Sequence, residues 1–328
     1  MIKTFKLIGG SVDLDEKCAP NRKFTDGSCF NEKELKTIAK SYNERTKDNI
    51  NVNVSKKELV KTLEDKLKSK CSEQTCWLRL DFVKAIENKN EELMQEMNQY
   101  TFRPVGPKGK YEWLSTNHIN EVVDQYHKLH KDFEFLGAVP VDFQDLSVLQ
   151  IGNMNFDEKV KEGKTKLGMV INLDEHWQSG SHWVALYTDL LKNKVYYFDS
   201  VGKTPPARVK RFVNKLLRNM YQRKYNKDIS IKRFTKRAKY LTKLSEKERD
   251  LIIKQDEELN NMYNGGFDIR HNNVQHQFDN SECGVYSINF IIRLVSGESF
   301  DSVTQNITKD EKMNKNRQEY FRNVDFSK

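Results

Sequence analysis

The 328-residue chain predicts an α+β fold, a central mixed sheet with one buried helix across it, preceded by a mostly helical unit. Three observations carry this expectation. Leu167 to Leu173, Val184 to Thr188 and Val195 to Phe198 are short apolar runs that suit buried strands. Gly284 to Val295 is an apolar run of helix rather than strand length. Before residue 80, apolar residues recur at spacings of three and four. At about 100 to 200 residues per domain, the length fits one full domain with an appendage.

In chain order, residues 31–47 place Leu35, Ile38, Ala39 and Tyr42 at helical spacing. Ser55, with Glu58 three residues on, forms a capping box for a second amphipathic helix. A third apolar stretch, Cys76 to Ile86, precedes a charged run. Pro104-Val105-Gly106-Pro107 then interrupts any helix, so the boundary is set there, with 1–104 an accessory helical domain and 105–328 the main one. Ser115 caps a helix that turns Ile119, Val122, Val123 and Tyr126 inward. An insert at about 205–265 holds a helical pattern at Val209, Phe212, Leu216 and Met220, and a β-like stretch around Ile229 to Phe234.

Charge is unevenly placed. From Arg208 to Lys243, fourteen Lys or Arg stand against a single acid, Asp228, in a chain whose formal net charge is +9. The rest of the chain is therefore mildly acidic. Such a segment attracts polyanions, with Arg208, Lys210, Arg211, Lys232, Arg233, Lys236 and Arg237 as candidate contacts and nucleic acid as a partner and activator to test. No run approaches the roughly 18 apolar residues of a membrane span, and Met1 to Ile8 is too short and charged for a signal-peptide core. A non-secreted protein without membrane contact is expected. In a reducing compartment all five cysteines read as thiols. The spacing of Cys18, Cys29, Cys71 and Cys76 is not a tight zinc knuckle, so no metal is expected.

The chemistry gathers in the second half. Ser181 to Tyr187 and Lys194 to Asp199 flank a polar turn at Lys192-Asn193, and a hairpin centred near 190–191 sets His182 across from Asp199. A carboxylate on one imidazole nitrogen fixes the tautomer and leaves the other free to take a proton. The competing pair His176-Trp177 would need a hairpin centre inside the apolar run, which puts His176 in the preceding loop. Cys283 stands where a polar loop meets the apolar helix, and a helix N-terminus favours a thiolate. Its own N–H and the Gln277 amide form two candidate oxyanion donors, and Gly284 allows close approach of a substrate carbonyl.

Three dispersed elements stand in order: His182-Trp183, Phe198-Asp199-Ser200, and Gln277 six residues before Cys283-Gly284. Together they resemble the Ulp1-like family of SUMO and adenovirus-type cysteine proteases, over residues 105 to 300. The resemblance implies a papain-like domain with Cys283 as nucleophile, His182 as base, Asp199 as its orienting group and Gln277 in the oxyanion hole, without a cofactor. Trp113-Leu114 resembles the family's entry segment, so that Trp113 and Trp183 would wall a channel admitting a Gly-Gly tail. Lys17 to Phe30 resembles the amino-terminal extension of members from large DNA viruses. The expected activity is cleavage after Gly-Gly in viral structural precursors, in host cytoplasm and virion. An isopeptidase acting on ubiquitin-like modifiers is the alternative, and the intact His182, Asp199, Gln277 and Cys283 set argues against a silent binding module. Leu7-Ile8-Gly9-Gly10-Ser11 is itself a candidate self-processing site, cut between Gly10 and Ser11.

Overall fold

The computed structural model describes residues 17–46 and 48–324, so the candidate site at Gly10–Ser11 lies outside the described residues. The chain forms two compact units, Met1–Lys110 with Lys315–Lys328, and Tyr111–Asn314. This division differs from the expected 104/105 boundary because the chain after Pro104 stays in the first unit. There, Gly106 lies so close to Phe321 that a Cβ on it would come within 2.8 Å of the Phe321 Cβ.

The first unit is helical: α1 (Glu32–Arg45), α2 (Lys56–Leu67), α3 (Gln74–Trp77), α4 (Asp81–Lys84) and α5 (Glu91–Tyr100). Capping boxes open α1 and α2, at Asn31 with Glu34 and at Ser55 with Glu58. Each satisfies two otherwise orphaned groups of the first turn. The apolar faces close over Phe30, Leu35, Ile38, Leu59, Leu63, Trp77 and Val83. The buried Glu34 carboxylate is offset by Arg22, whose guanidinium donates to both its oxygens at 3.0 and 2.7 Å. Free thiols were expected here, and the structure instead joins Cys18 to Cys29 and Cys71 to Cys76. The Cα pairs lie 5.3 and 5.6 Å apart, within the span a disulfide needs. All four sulfurs are thereby used, and no group of three or more metal-ligating side chains occurs among the described residues.

The second unit is built on five strands in sequence order: β1 (Phe133–Pro140), β2 (Lys166–Asn172), β3 (Trp183–Asp189), β4 (Lys194–Phe198) and β5 (Asp268–His271). The two outer pairings are parallel and the two inner ones antiparallel, a mixed sheet. The helices are α6 (Thr116–Asp124), α7 (Phe156–Lys161), α8 (Ala207–Tyr225), α9 (Ile231–Leu241), α10 (Glu246–Gln255), α11 (Glu257–Asn264) and α12 (Cys283–Val295), with short helices after it. No helix among the described residues is long and apolar enough to cross a membrane.

Both faces of the central strands are buried, by different helices. Leu167, Met169, Ile171, Val184, Leu186, Val195 and Tyr197 share a core with Val209, Phe212, Leu216 and Met220 of α8. The opposite parity faces α12: Phe198 stacks on Phe290, and Gly168 leaves room for Phe133 and Ile291. The basic insert is thus only partly an appendage, since α8 covers the main sheet while α9 to α11 close smaller clusters of their own. The β-like reading of 229–234 gives way to α9. The Ser230 side chain caps that helix, and Ile231 and Leu241 are buried along it.

Candidate active site

The β3–β4 hairpin pairs Ala185 with Phe198 and Asp189 with Lys194 across a loop that ends at Asn193 in a left-handed conformation, φ 53°. Continued by one residue, this register puts Asp199 opposite Val184 rather than His182, two residues from the expected pairing. The contact survives because a shift of two keeps both side chains on one face, and a diagonal neighbour at roughly 7 to 8 Å is within reach of an imidazole. His182 Nε2 and Asp199 Oδ1 lie 2.8 Å apart, with Asp199 fully buried. The Asp199 carboxylate also accepts the Val201 N–H at 2.9 Å.

Cys283 is the first residue of α12, is buried, and is the one free cysteine among the described residues. The N-cap residue, Glu282, makes no side-chain cap bond to this helix, and the partial positive charge of its first turn favours an anion there. Burial alone would lower the His182 pKa, yet the Asp199 carboxylate and the Cys283 sulfur beside the ring outweigh it and push it up to about 9. The ring is therefore a cation at neutral pH, with Nε2 on the carboxylate and Nδ1 left for the sulfur.

Gln277 is buried on the loop before α12. Its N–H donates to the Ser200 carbonyl at 2.9 Å, its Oε1 accepts the Ser200 hydroxyl at 2.6 Å, and its Nε2 donates to the Asp279 carbonyl at 2.7 Å. Asp310 Oδ2 holds the same loop through the N–H groups of Phe278 and Asp279. Asn272 brackets Asp199, accepting its N–H at 2.8 Å and donating to its carbonyl at 2.7 Å. Neither Ser200 nor Asn272 is among the sequence-predicted site residues. Ser200 was legible as the neighbour of Asp199, whereas Asn272 follows a strand, β5, whose four residues give no clear alternation.

Trp113 and Trp183 both line a cleft of about 460 Å³, with Leu114, Val139, Pro140, Asn172, Asp174 and His176 among the other wall residues. Trp183 is buried and donates its indole N–H to the Leu114 carbonyl at 3.0 Å, while Trp113 is 44% exposed. A larger hollow of about 610 Å³, lined between Glu134 and Glu162, contains none of the candidate residues. Gly284 does not line the cleft. A Cβ there would meet the Leu114 side chain at 3.0 Å, so the glycine lets the start of α12 pack against that residue. His176 sits in the loop before β3, bonded through Nδ1 to Asp142 at 2.6 Å.

The basic candidates separate into two groups. Arg208 is engaged by Asp145 and Glu175, and Arg237 by Asp256 and Glu258, so neither is left for a polyanion. Lys210, Arg211, Lys232, Arg233 and Lys236 are exposed. On α9, Lys232, Lys236 and Lys239 recur at helical spacing, so that they share one exposed stripe.

Comparison with known proteins agrees with this architecture. The Ulp1 protease family, C-terminal catalytic domain, matches residues 164–325. A protein of Acanthamoeba polyphaga mimivirus, named as a thiol protease, is 32% identical over 323 residues, covering 93% of each chain. A SUMO-1 cysteine protease of African swine fever virus is 23% identical over 281 residues, 81% of this chain and 88% of that one. A crystal structure of an African swine fever virus protease shares the fold, with a TM-score of 0.59 at 19% identity over 94% of this chain and 96% of that chain. The chain belongs to the Ulp1 protease family and is a cysteine protease. The full-length relatives named here are viral.

Proposed function

We propose that the chain is an endopeptidase cutting after Gly-Gly, with Cys283 as nucleophile, His182 as general base, Asp199 as the group that orients it, and Gln277 as an oxyanion donor. The observation that carries this reading is the His182 ring held by buried Asp199 at 2.8 Å, with the Cys283 sulfur within hydrogen-bond reach of the ring. The thiol proton rests on the His182 ring, and the Cys283 thiolate attacks the carbonyl carbon of the scissile bond. The oxyanion is met by the Cys283 N–H and the Gln277 amide. His182 then gives its proton to the leaving amine, leaving a thioester. Water, deprotonated by His182, hydrolyses the thioester and regenerates the thiol. The chemistry calls for no metal or organic cofactor.

Trp113 and Trp183 line one cleft, although His182, Gln277 and Cys283 are not among its wall residues. A passage walled by two such rings would favour residues without a Cβ next to the bond, which is the ground for proposing Gly-Gly-Xaa segments of proteins as substrates. Maturation of viral structural precursors, in host cytoplasm and virion, is the proposed role, and the viral relatives support it. A second reading, removal of a ubiquitin-like modifier, is favoured by the name of the African swine fever virus relative, a SUMO-1 cysteine protease. A peptide-library cleavage profile run beside SUMO and ubiquitin C-terminal amides separates them. Maturation predicts efficient cleavage of short Gly-Gly peptides, and turnover confined to the folded modifiers overturns it. The α9 stripe is proposed to hold nucleic acid without sequence preference. Binding to duplex DNA should fall steeply with salt and drop when Lys232, Lys236 and Lys239 are replaced together by Glu, and salt-independent binding contradicts it.

A further inference from the structure

The Asp199–Ser200 segment touches both halves of the site. Asp199 holds His182, and the next residue holds Gln277. Ser200 is 1% exposed and makes two bonds to Gln277: its carbonyl accepts the Gln277 N–H at 2.9 Å, and its hydroxyl lies 2.6 Å from Gln277 Oε1. The same carbonyl accepts the His276 N–H at 2.8 Å, so the loop is fastened at two consecutive residues.

The direction of the side-chain bond follows from elementary chemistry. A primary amide has one acceptor oxygen and one NH2 donor, and a half-turn about its last bond exchanges them. The Asp279 carbonyl can only accept, so Nε2 must face it, as observed at 2.7 Å. Oε1 then faces Ser200, whose hydroxyl has to donate. One hydrogen of Nε2 is used by Asp279 and the second is left for another acceptor. Donation into Oε1 also withdraws electron density from the amide and strengthens its N–H groups as donors.

We propose that Ser200 is a positioning residue for the oxyanion donor, fixing the plane of the Gln277 amide and strengthening its free N–H. This rests on the reading of Gln277 as that donor. Ser200 acts through Gln277 and takes no part in forming the thiolate, and the two roles can be separated. Alkylation of Cys283 by iodoacetamide reports the thiolate but builds no oxyanion, whereas cleavage of a Gly-Gly peptide needs both.

Gln277→Ala should lower kcat by about 10²-fold, the usual loss on removing one oxyanion donor. Ser200→Ala should lower kcat by about tenfold, with KM and the alkylation rate unchanged, because the donor is loosened rather than removed. In the Gln277→Ala background the Ser200→Ala loss should vanish, since residues acting through one group are not additive. If Ser200→Ala slows alkylation as much as turnover, or costs the same factor in both backgrounds, Ser200 is not positioning Gln277. Full turnover in Gln277→Ala removes the oxyanion reading itself, whereas an impaired Gln277→Ala beside an unimpaired Ser200→Ala removes only the present inference. Ser200→Thr keeps the hydroxyl and covers the case in which the alanine variant fails to fold. It should retain most of the turnover, and a tenfold loss in a folded Thr variant counts against the proposal.

Discussion

Two histidines six residues apart are each followed by tryptophan and each bonded to an aspartate, yet their surroundings differ. His176 meets Asp142 at 2.6 Å with 53% of its side chain exposed, and Trp177 beside it is 69% exposed. His182 meets Asp199 at 2.8 Å with 18% exposed, and Trp183 is 6% exposed. Bond length alone would favour the first pair. Burial and the neighbouring sulfur favour the second, because low dielectric strengthens the hydrogen bonds and only His182 has a thiol beside it whose proton the ring can hold. A histidine–carboxylate contact is therefore a common structural fastener. At His176 it ties the loop before β3 to Asp142, which also accepts the His176 N–H at 3.0 Å.

The largest difference between the two regions should appear at the sulfur. Cys283→Ala should reduce cleavage of a Gly-Gly peptide to background while the circular dichroism spectrum and melting transition stay in place. The carboxylates come next. Asp199→Asn still orients the ring but no longer stabilises its cation, and should cost about 10²-fold in kcat, the lower end of general-base effects. Asp142→Asn should leave kcat near wild type. Comparable losses at the two aspartates would erase the distinction.

The pH profile sharpens it further. The His182 pKa is raised to about 9 in the folded protein, above its ordinary 6.5, so the charged ring is favoured by folding. Its contribution to stability is fully present below about 6.5 and is lost as pH rises through about 9. Both kcat/KM and thermal stability should fall there, and His176→Ala should leave that limb unmoved. The smallest contrast is between the tryptophans: Trp113→Ala, which opens the cleft, should raise KM about tenfold, whereas Trp177→Ala should not.

Much of this was legible in the residues. The Ser55–Glu58 capping box of the first unit, the three central strands and the buried helix behind Cys283 follow from local pattern, because each element's apolar period matches the face it buries. What was not legible depended on long-range pairing. The hairpin centre was placed one residue early, which moves every cross-strand partner by two and so leaves the same side chains on the same face. β1 and β5 escaped notice: one is irregular at Gly137, φ 101°, and the other is a four-residue strand at the sheet edge. The cysteine pairs of the first unit were missed because the thiol reading rested on a reducing compartment, and spacing alone does not tell which sulfurs meet. Net charge over Arg208 to Lys243 also overstated its free cations, because Arg208 and Arg237 have acidic partners outside that segment.

The central claim is that His182, and not His176, serves Cys283. It is tested most directly by measuring kcat/KM on one Gly-Gly peptide for His182→Ala and His176→Ala side by side, with melting curves to show that both fold. The account predicts a loss of about 10⁴-fold at His182, the upper end for a general base, and near-wild-type turnover at His176. A folded His182→Ala enzyme that retains activity, or a His176→Ala enzyme that loses it to the same degree, would contradict the account.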